Sequence, residues 1–529
     1  MVSGSAPALP AEQEWPVPGE VTFRTILERR AAEDPEHRFL VWDGGALTVG
    51  EVHRASTRLA NALLARGLRK GDLVAFMLDQ HAEHIVALVA CAIAGLVRTS
   101  VNVSAKGDYL AHLLADARPR ALIAETGYRR LLEPAFGAQV PELLVWNEAD
   151  GAPAGEGLKQ LIATGAETPL PTVVEPDDPL VVNYTSGTTG APKKFSRSDR
   201  VLQIGSLACL RIGEFEPGDV LLFWEPLFHG AGSQTALAAL LEKVTLAMTP
   251  RFSASRFWDQ ARFFGATKIH YIGGILPILL KQPARPDDLD HGVRIAWGAG
   301  CPPDAWETFE RRFGVRVHEG YGLSEVANYV CVNRGGPRGS VGRVLPYFSI
   351  RLLDEEGREV SPGETGEIVV KGERPEYTSV SLNRTSTTTR DGWIRTGDLG
   401  RFDTSGYLFF AGRKSDSLRR RGENVSAWEV ERVVARHPEV EECALIGVPS
   451  GLGDDDLKIF VRRRPGSTLD PLGLVRWCED RMPYFQIPRY VSLVEELPKT
   501  PTQRVRKGEL PRTTDDCWDL EATGYRLSR

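Results

Sequence analysis

The stretch Tyr184-Thr185-Ser186-Gly187-Thr188-Thr189-Gly190-Ala191-Pro192-Lys193 follows the apolar, β-prone run Leu180-Val181-Val182. Hydroxyls at 185, 186, 188 and 189 and glycines at 187 and 190 share six consecutive positions, and Pro-Lys comes two residues later. Glycine lets backbone N–H groups turn toward an anion, hydroxyls donate further hydrogen bonds, and Lys193 adds a point charge. The reading is a strand that runs into a loop built to hold phosphate oxygens. The spacing G-x-x-x-x-G-K-[ST] is absent, so this is not the common nucleotide loop. Taken alone, the same composition also suits a plain surface loop.

On either side of the loop, strand-like and helix-like runs alternate. Leu73-Val74-Ala75-Phe76-Met77-Leu78, Val97 to Val103 and Ala121-Leu122-Ile123-Ala124 read as strands, with helices at His84 to Gly95 and Tyr109 to Ala117. From Thr22 to Arg69 the apolar positions recur at helical spacing. Past the loop, helices near 201–210, 235–242 and 255–265 alternate with strands at Val220 to Trp224, Val244 to Met248, His270 to Gly274 and Arg294 to Gly300. Such alternation predicts a mostly parallel sheet covered on both faces. Strands that run into glycines, as at Gly273-Gly274 and Gly298-Ala299-Gly300, mark the edge where ligands sit in open α/β sheets. Beyond 340, alternating runs separated by Gly turns predict a small antiparallel barrel or sheet. After Gly412 the chain is charged and then returns to short α and β pieces. The expectation is an α/β fold in four parts: a flexible tail at 1–20, a large domain of layered α/β sheets plus a small β-barrel at 21–413, a hinge at 414–416, and a small mobile α+β domain at 417–529.

At 529 residues the chain exceeds one core. Its 42% hydrophobic and 25% charged residues are those of an ordinary globular protein. A net charge of -6 argues against nucleic acid as partner. Seven scattered cysteines without C-x-x-C spacing indicate neither a disulfide framework nor a zinc site and favour a reducing cytoplasm. The first twenty residues lack the pattern of a signal peptide. The longest apolar run, near 84–97, is too short to span a bilayer.

Six motifs in order resemble the adenylate-forming superfamily, in its acyl-CoA synthetase branch. They are the loop 184–193, Pro226-Leu227-Phe228-His229, Gly320-Tyr321-Gly322-Leu323-Ser324-Glu325, Thr396-Gly397-Asp398, Gly412-Arg413, and Leu497-Pro498-Lys499-Thr500-Pro501. The resemblance implies two half-reactions: a carboxylate attacks ATP to give acyl-AMP, and a thiol, commonly CoA, then displaces AMP. It also implies a C-terminal domain that rotates between them. By this resemblance Thr185, Ser186, Gly187, Thr188, Thr189, Gly190 and Lys193 cradle the β- and γ-phosphates. Ser324 touches the α-phosphate and Glu325 holds Mg²⁺. Tyr321 stacks on adenine beside Gly322, with Gly298, Ala299 and Gly300 as the opposite wall, while Asp398 and Arg413 take the ribose. His229 gates the passage between carboxylate site and thiol tunnel. Trp224, Gly273, Gly274 and Gly320 line the acyl pocket, the glycines leaving room for a bulky group. Arg420 and Arg421 pair with CoA phosphates, and Gly422 lets pantetheine pass.

Three positions depart from the family pattern. Gln503-Arg504 stands where the family has Gly-Lys, the lysine that reaches carboxylate and α-phosphate in adenylation. A planar guanidinium does not replace a compact ammonium in a fitted site, and losing one preorganised donor costs on the order of 10²–10³ in rate. Lys194 replaces a glycine of the phosphate loop, and Ser415 replaces the usual hinge residue. The sequence therefore predicts an enzyme that forms acyl-CoA from acyl-AMP and CoA, with adenylation impaired or delegated to a separate adenylating enzyme. A complete two-step synthetase and an amide-forming ligase are the alternatives.

Overall fold

The computed structural model describes residues 21–529 apart from 138, 148–155, 186–192, 274, 302, 327, 355, 383–388, 390, 414–417, 422, 426, 451–453, 499–504, 506 and 528–529. The side chains at 185, 193, 304, 328, 412, 413, 424, 428, 429 and 432 also fall outside the description. The expected tail and hinge lie outside it too.

Two large sheets carry the N-terminal body. In the eight-stranded sheet, Leu73–Met77 pairs in parallel with Val97–Ser100 and Ala121–Glu125, and Val97–Ser100 with Pro179–Thr185. In the nine-stranded sheet, Thr245–Met248, Val220–Phe223, Lys268–Ile272, Ile295–Ala299 and Arg316–Leu323 form a parallel centre. Central strands buried on both faces read as continuous apolar runs, which is why these segments were legible. The helix Ala82–Ala94 is apolar all round because it packs inside, and Gly95 ends it at φ +72°. The helical reading of Thr22 to Arg69 needs correction. Helices Phe23–Glu33 and Val49–Ala65 flank a hairpin, Arg38–Trp42 with Gly45–Thr48. Asp43-Gly44 turns this hairpin, with Gly44 at φ +93°, and Thr48 with Glu51 forms the capping box that starts the second helix.

Phe348–Leu353, Gly366–Gly372, Ile394–Phe402 and Leu408–Arg413 form a four-stranded antiparallel sheet in that order, open in its hydrogen bonding. The bridge Gly342 to Leu408 joins it to the nine-stranded sheet. Past it, the hairpin Leu418–Arg420 with Glu423–Val425 packs on a second four-stranded sheet (Val440–Pro449, Asp455–Arg463, Tyr490–Val494, Trp518–Asp519) and on helices Ala427–Val434 and Pro471–Glu479. This region has a core of its own, built from Leu418, Val430, Leu445, Ile459, Leu474 and Val491. It touches the body through an Asp108–Arg436 ion pair and at Gly107, where a Cβ would lie 3.2 Å from the Cα of Arg481. No helix among the described residues is long and apolar enough to cross a membrane.

Candidate functional site

Tyr321 lies near the end of the strand Arg316–Leu323 and Asp398 lies in Ile394–Phe402. The structure brings them together: the Tyr321 hydroxyl donates to Asp398 Oδ2 at 2.7 Å, both residues being buried. Burial first, and then the Asp398 charge, push the phenol well above its ordinary pKa, so it stays a donor. Gly397 at φ +72° turns the backbone before Asp398, and Thr396 Oγ1 accepts from the Asp398 amide at 3.0 Å. Thr396-Gly397-Asp398 is therefore a strand irregularity that re-aims a carboxylate. Arg413 sits opposite Asp398 in the ladder.

Gly298, Ala299 and Gly300 close the neighbouring strand. Glu319, absent from the expected set, fixes their far end, because its buried carboxylate accepts from Gly300 N at 2.5 Å, Cys301 N at 3.0 Å and Tyr271 Oη at 2.6 Å. Burial raises this carboxyl to about 7 against the pull of those donors. A glutamate before Gly-Tyr-Gly carries no sign of this role in sequence.

Ser324 and Glu325 follow on a short loop held by its carbonyls. Arg197 Nη2 donates to Ser324 O at 3.0 Å, and Ser379 donates through Oγ to Ser324 O at 3.1 Å and through N to Glu325 O at 3.2 Å. Arg197 is fully buried; burial lowers its pKa to about 10, and the charge of Glu325 opposes that shift. Magnesium is commonly held by one or two carboxylates plus phosphate oxygens, so Glu325 fits that task, with Arg197 as a second positive charge nearby. Of the phosphate loop, Ser186, Gly187, Thr188, Thr189 and Gly190 lie outside the described residues, as do the side chains of Thr185 and Lys193. The departure at Lys194 is accounted for: its ammonium pairs with Asp116 at 3.2 Å, and Tyr184 Oη donates to the same carboxylate at 2.7 Å.

His229 caps the helix Gly230–Leu241, its Nδ1 accepting from Ala231 N at 3.3 Å. Burial lowers its pKa, so the ring is neutral at pH 7. Trp224 Nε1 donates to His270 O at 3.0 Å, and its indole packs with Phe252, Phe257, Tyr271 and Ile275. The expectation that the acyl-pocket glycines leave an open chamber is corrected at Gly320, and Gly298 of the adenine wall is as tightly placed. A Cβ on Gly320 would stand 2.5 Å from the Tyr329 ring, and one on Gly298 would stand 1.9 Å from Tyr271 O. Both glycines serve close packing. Gly273 is buried at φ +52°, and Gly274 lies outside the described residues.

The hairpin Leu418–Val425 reaches this site from the C-terminal side. A Cβ on Gly273 would lie 3.9 Å from Arg419 Nε, and the Arg419 charge acts on His229, Glu319 and Tyr329. The Glu423 charge acts on His229 as well. Arg420 requires correction as a phosphate ligand. It is 3% exposed, donates to the carbonyls of Ile487 and Phe485, and lies 3.5 Å from Asp456. Strand alternation is the reason: residues 418 and 420 share a face, and Leu418 faces the core. Arg421 is exposed at φ +54°, paired with Glu521 at 3.0 Å. Gly422 and Arg504 lie outside the described residues. Val505, next to Arg504, packs with Ala444, Ile446 and Val448, and Lys507 pairs with Glu431 at 2.7 Å.

The chain is similar to known proteins over most of its length. Residues 27–375 match the AMP-binding enzyme family and 429–504 match the AMP-binding enzyme C-terminal domain. The chain is 32% identical over 509 residues to the sulfoacetate–CoA ligase of Cupriavidus necator, covering 92% of this chain and 97% of that one. It is 29% identical over 483 residues to the crotonobetaine/carnitine–CoA ligase of Salmonella arizonae, covering 87% and 92%. A double mutant of o-succinylbenzoate CoA synthetase from Bacillus subtilis, bound to a product analogue, shares the fold. Its TM-score is 0.81 at 24% identity, with 93% of this chain and 98% of that one covered.

Proposed function

Given that the chain belongs to the AMP-binding enzyme family and is an acid–thiol ligase of the adenylate-forming superfamily, CoA ligase branch, we propose that it forms acyl-CoA from an acyl-adenylate and CoA while its own ATP-dependent adenylation is impaired. The observation that carries this reading is the hairpin Leu418–Val425, which sets Arg419 beside Gly273, with the Glu423 charge acting on His229. In this reading the hairpin is the thiol-transfer face of the C-terminal region, set against the adenylate wall. The replacement of Gly-Lys by Gln503-Arg504 supports the second half of the proposal.

In this reading Tyr321 and Asp398 orient the adenosine, with Asp398 and Arg413 on the ribose and Ser324 at the α-phosphate. The phosphate loop with Lys193 and Glu325 would hold Mg²⁺ and pyrophosphate, charge neutralisation that thiol transfer does not require. His229, neutral and held by its cap, borders the route by which the thiol arrives. The sulfur attacks the acyl carbonyl, the C–O bond to phosphate breaks, and AMP leaves with its electron pair while the thiol proton passes to solvent. Arg419 places a positive charge near the carbonyl and phosphate as negative charge shifts between them. The working division is a body of 21–413 and a mobile domain of 417–529 about a hinge at 414–416, with a separate enzyme supplying the adenylate.

The test compares ATP–pyrophosphate exchange with thioester formation from synthetic acyl-adenylates and CoA. The expected outcome is thioester formation with exchange weaker by roughly 10²–10³ than a two-step synthetase sustains, and a rise of exchange in Arg504→Lys. Robust exchange by the wild type returns the complete two-step synthetase. Product formed with amines in preference to CoA returns the amide-forming ligase.

A further inference from the structure

Glu225 follows the strand Val220–Phe223 and precedes His229 by four residues. It is 0% exposed. One carboxylate oxygen, Oε1, is met by His270 Nδ1, whose Nε2 lies 3.4 Å from Tyr329 Oη. The other, Oε2, meets no hydrogen-bond donor among the described residues. A buried carboxylate oxygen without a donor is costly, and each such group in a folded protein calls for a reason.

The position of this oxygen suggests the reason. Glu225 stands in sequence between Trp224 and the motif Pro226-Leu227-Phe228-His229, and His270 links it to Tyr329, whose ring packs on Gly320; its charge also acts on His229. His270 stands next to Tyr271 on the strand that leads to Gly273, and its ring lies 4.2 Å from that of Trp297. Trp297, whose ring lies against His270, and Tyr329 are both buried in the apolar core. A dyad of this kind, next to Trp224 of the expected acyl wall, has no part in moving the thiol or holding AMP.

On the reading that an acyl-adenylate is bound here, we propose that Glu225, backed by His270, is the specificity-determining anchor for a hydroxyl on the acyl group, remote from its carboxyl. The hydroxyl would donate to Oε2 and replace the missing donor. A neutral donor suits the site better than an ammonium, because His270 already offers an N–H to the carboxylate and Arg419 adds positive charge near Tyr329. A site built to bond a hydroxyl rejects the analogue that lacks it, since the buried acceptor is then left bare.

The test uses non-hydrolysable acyl-sulfamoyl adenosines in matched pairs: 4-hydroxycinnamoyl with cinnamoyl, 4-hydroxybenzoyl with benzoyl, and 8-hydroxyoctanoyl with octanoyl. Binding is measured by calorimetry on the full chain, with AMP as the control that each variant is folded. In the wild type at least one hydroxylated member binds roughly 10- to 100-fold tighter than its parent. In Glu225→Leu that preference falls below about 2-fold, with AMP affinity unchanged, and Glu225→Gln, which keeps shape and an acceptor, retains part of it. Equal affinities within all three pairs in the wild type, or a preference that survives Glu225→Leu, overturns the proposal and leaves the acyl-adenylate reading standing. Binding of AMP with no binding of any acyl analogue overturns both.

Discussion

Tyr321, Asp398 and Glu319 in the N-terminal body and Arg419, Arg420 and Arg421 on the C-terminal hairpin differ in what holds them. The carboxylates and the phenol are fixed by partners within the N-terminal body: Tyr321 to Asp398 at 2.7 Å, Glu319 to two backbone amides and Tyr271. The arginines are dealt out along a short strand, so that Arg420 turns into its own core, Arg421 pairs at the rim with Glu521, and Arg419 faces the body. A wall whose polar groups are preset needs no reorganisation when a nucleotide arrives. A hairpin that lends one charge can withdraw it in the proposed domain rotation.

The wall is tested most severely at Asp398. Asp398→Ala removes the proposed ribose acceptor and leaves the buried Tyr321 hydroxyl without its partner. The expected result is a loss of kcat/KM for acyl-adenylate of roughly 10²–10⁴, with AMP affinity falling in parallel. Asp398→Asn, which keeps an acceptor for Tyr321, should recover part of it. Unaltered AMP affinity in Asp398→Ala would remove Asp398 from the nucleotide wall.

On the hairpin, adjacent arginines should fail in different ways. Arg420→Ala takes the donor from the Ile487 and Phe485 carbonyls and one of two cations from Asp456, which keeps Arg489 at 2.9 Å, and leaving buried acceptors unpaired costs about 1–3 kcal/mol. The loss should appear in chemical unfolding of the C-terminal region. Arg419→Ala should leave stability nearly intact and lower thioester kcat by roughly 10²-fold, with AMP affinity unchanged. If both variants lower stability alone, the hairpin contributes nothing to the chemistry.

Glu319 gives the wall a pH signature. The folded protein keeps this carboxyl protonated to about pH 7, whereas the unfolded chain ionises it near 4.5. The group therefore favours folding at low pH, and that contribution is lost as pH rises from 4.5 to 7, roughly 3 kcal/mol in all. The stability difference between wild type and Glu319→Gln should fall by an amount of that order between pH 5 and 7.5 in urea titrations. Parallel curves would mean that the three donors hold the carboxylate ionised.

Much of the fold was legible because strands buried on both faces announce themselves as apolar runs. The hairpin 38–48 was missed although Asp43-Gly44 signals a turn, since the helical spacing on both sides dominated the reading. Motifs brought Tyr321 and Asp398 together across 77 residues. Glu319, Arg197 and Glu225 were illegible for a different reason. Each acts through burial and partners distant in sequence, and a lone charged residue in an apolar run reads the same whether it faces solvent or a core. Arg420 was misread even though the period of two from Leu418 placed it inward.

The weakest expected effect concerns how the body and the hairpin are kept together. Asp108 and Arg436 pair across the two regions with side chains 58% and 43% exposed. Exposed pairs of this kind contribute about 0–1 kcal/mol and are screened by salt. Asp108→Ala should therefore change thioester kcat by less than about 2-fold, with even that difference gone at high ionic strength. Gly107 next to it is another matter, because its φ of +58° strains any side chain and its Cβ position lies a tight 3.2 Å from the Arg481 Cα. Gly107→Val should lower thioester turnover more than Asp108→Ala while leaving AMP affinity as it was, since the wall lies in the body alone. If the order is reversed, charge and not close packing sets the hairpin over the site.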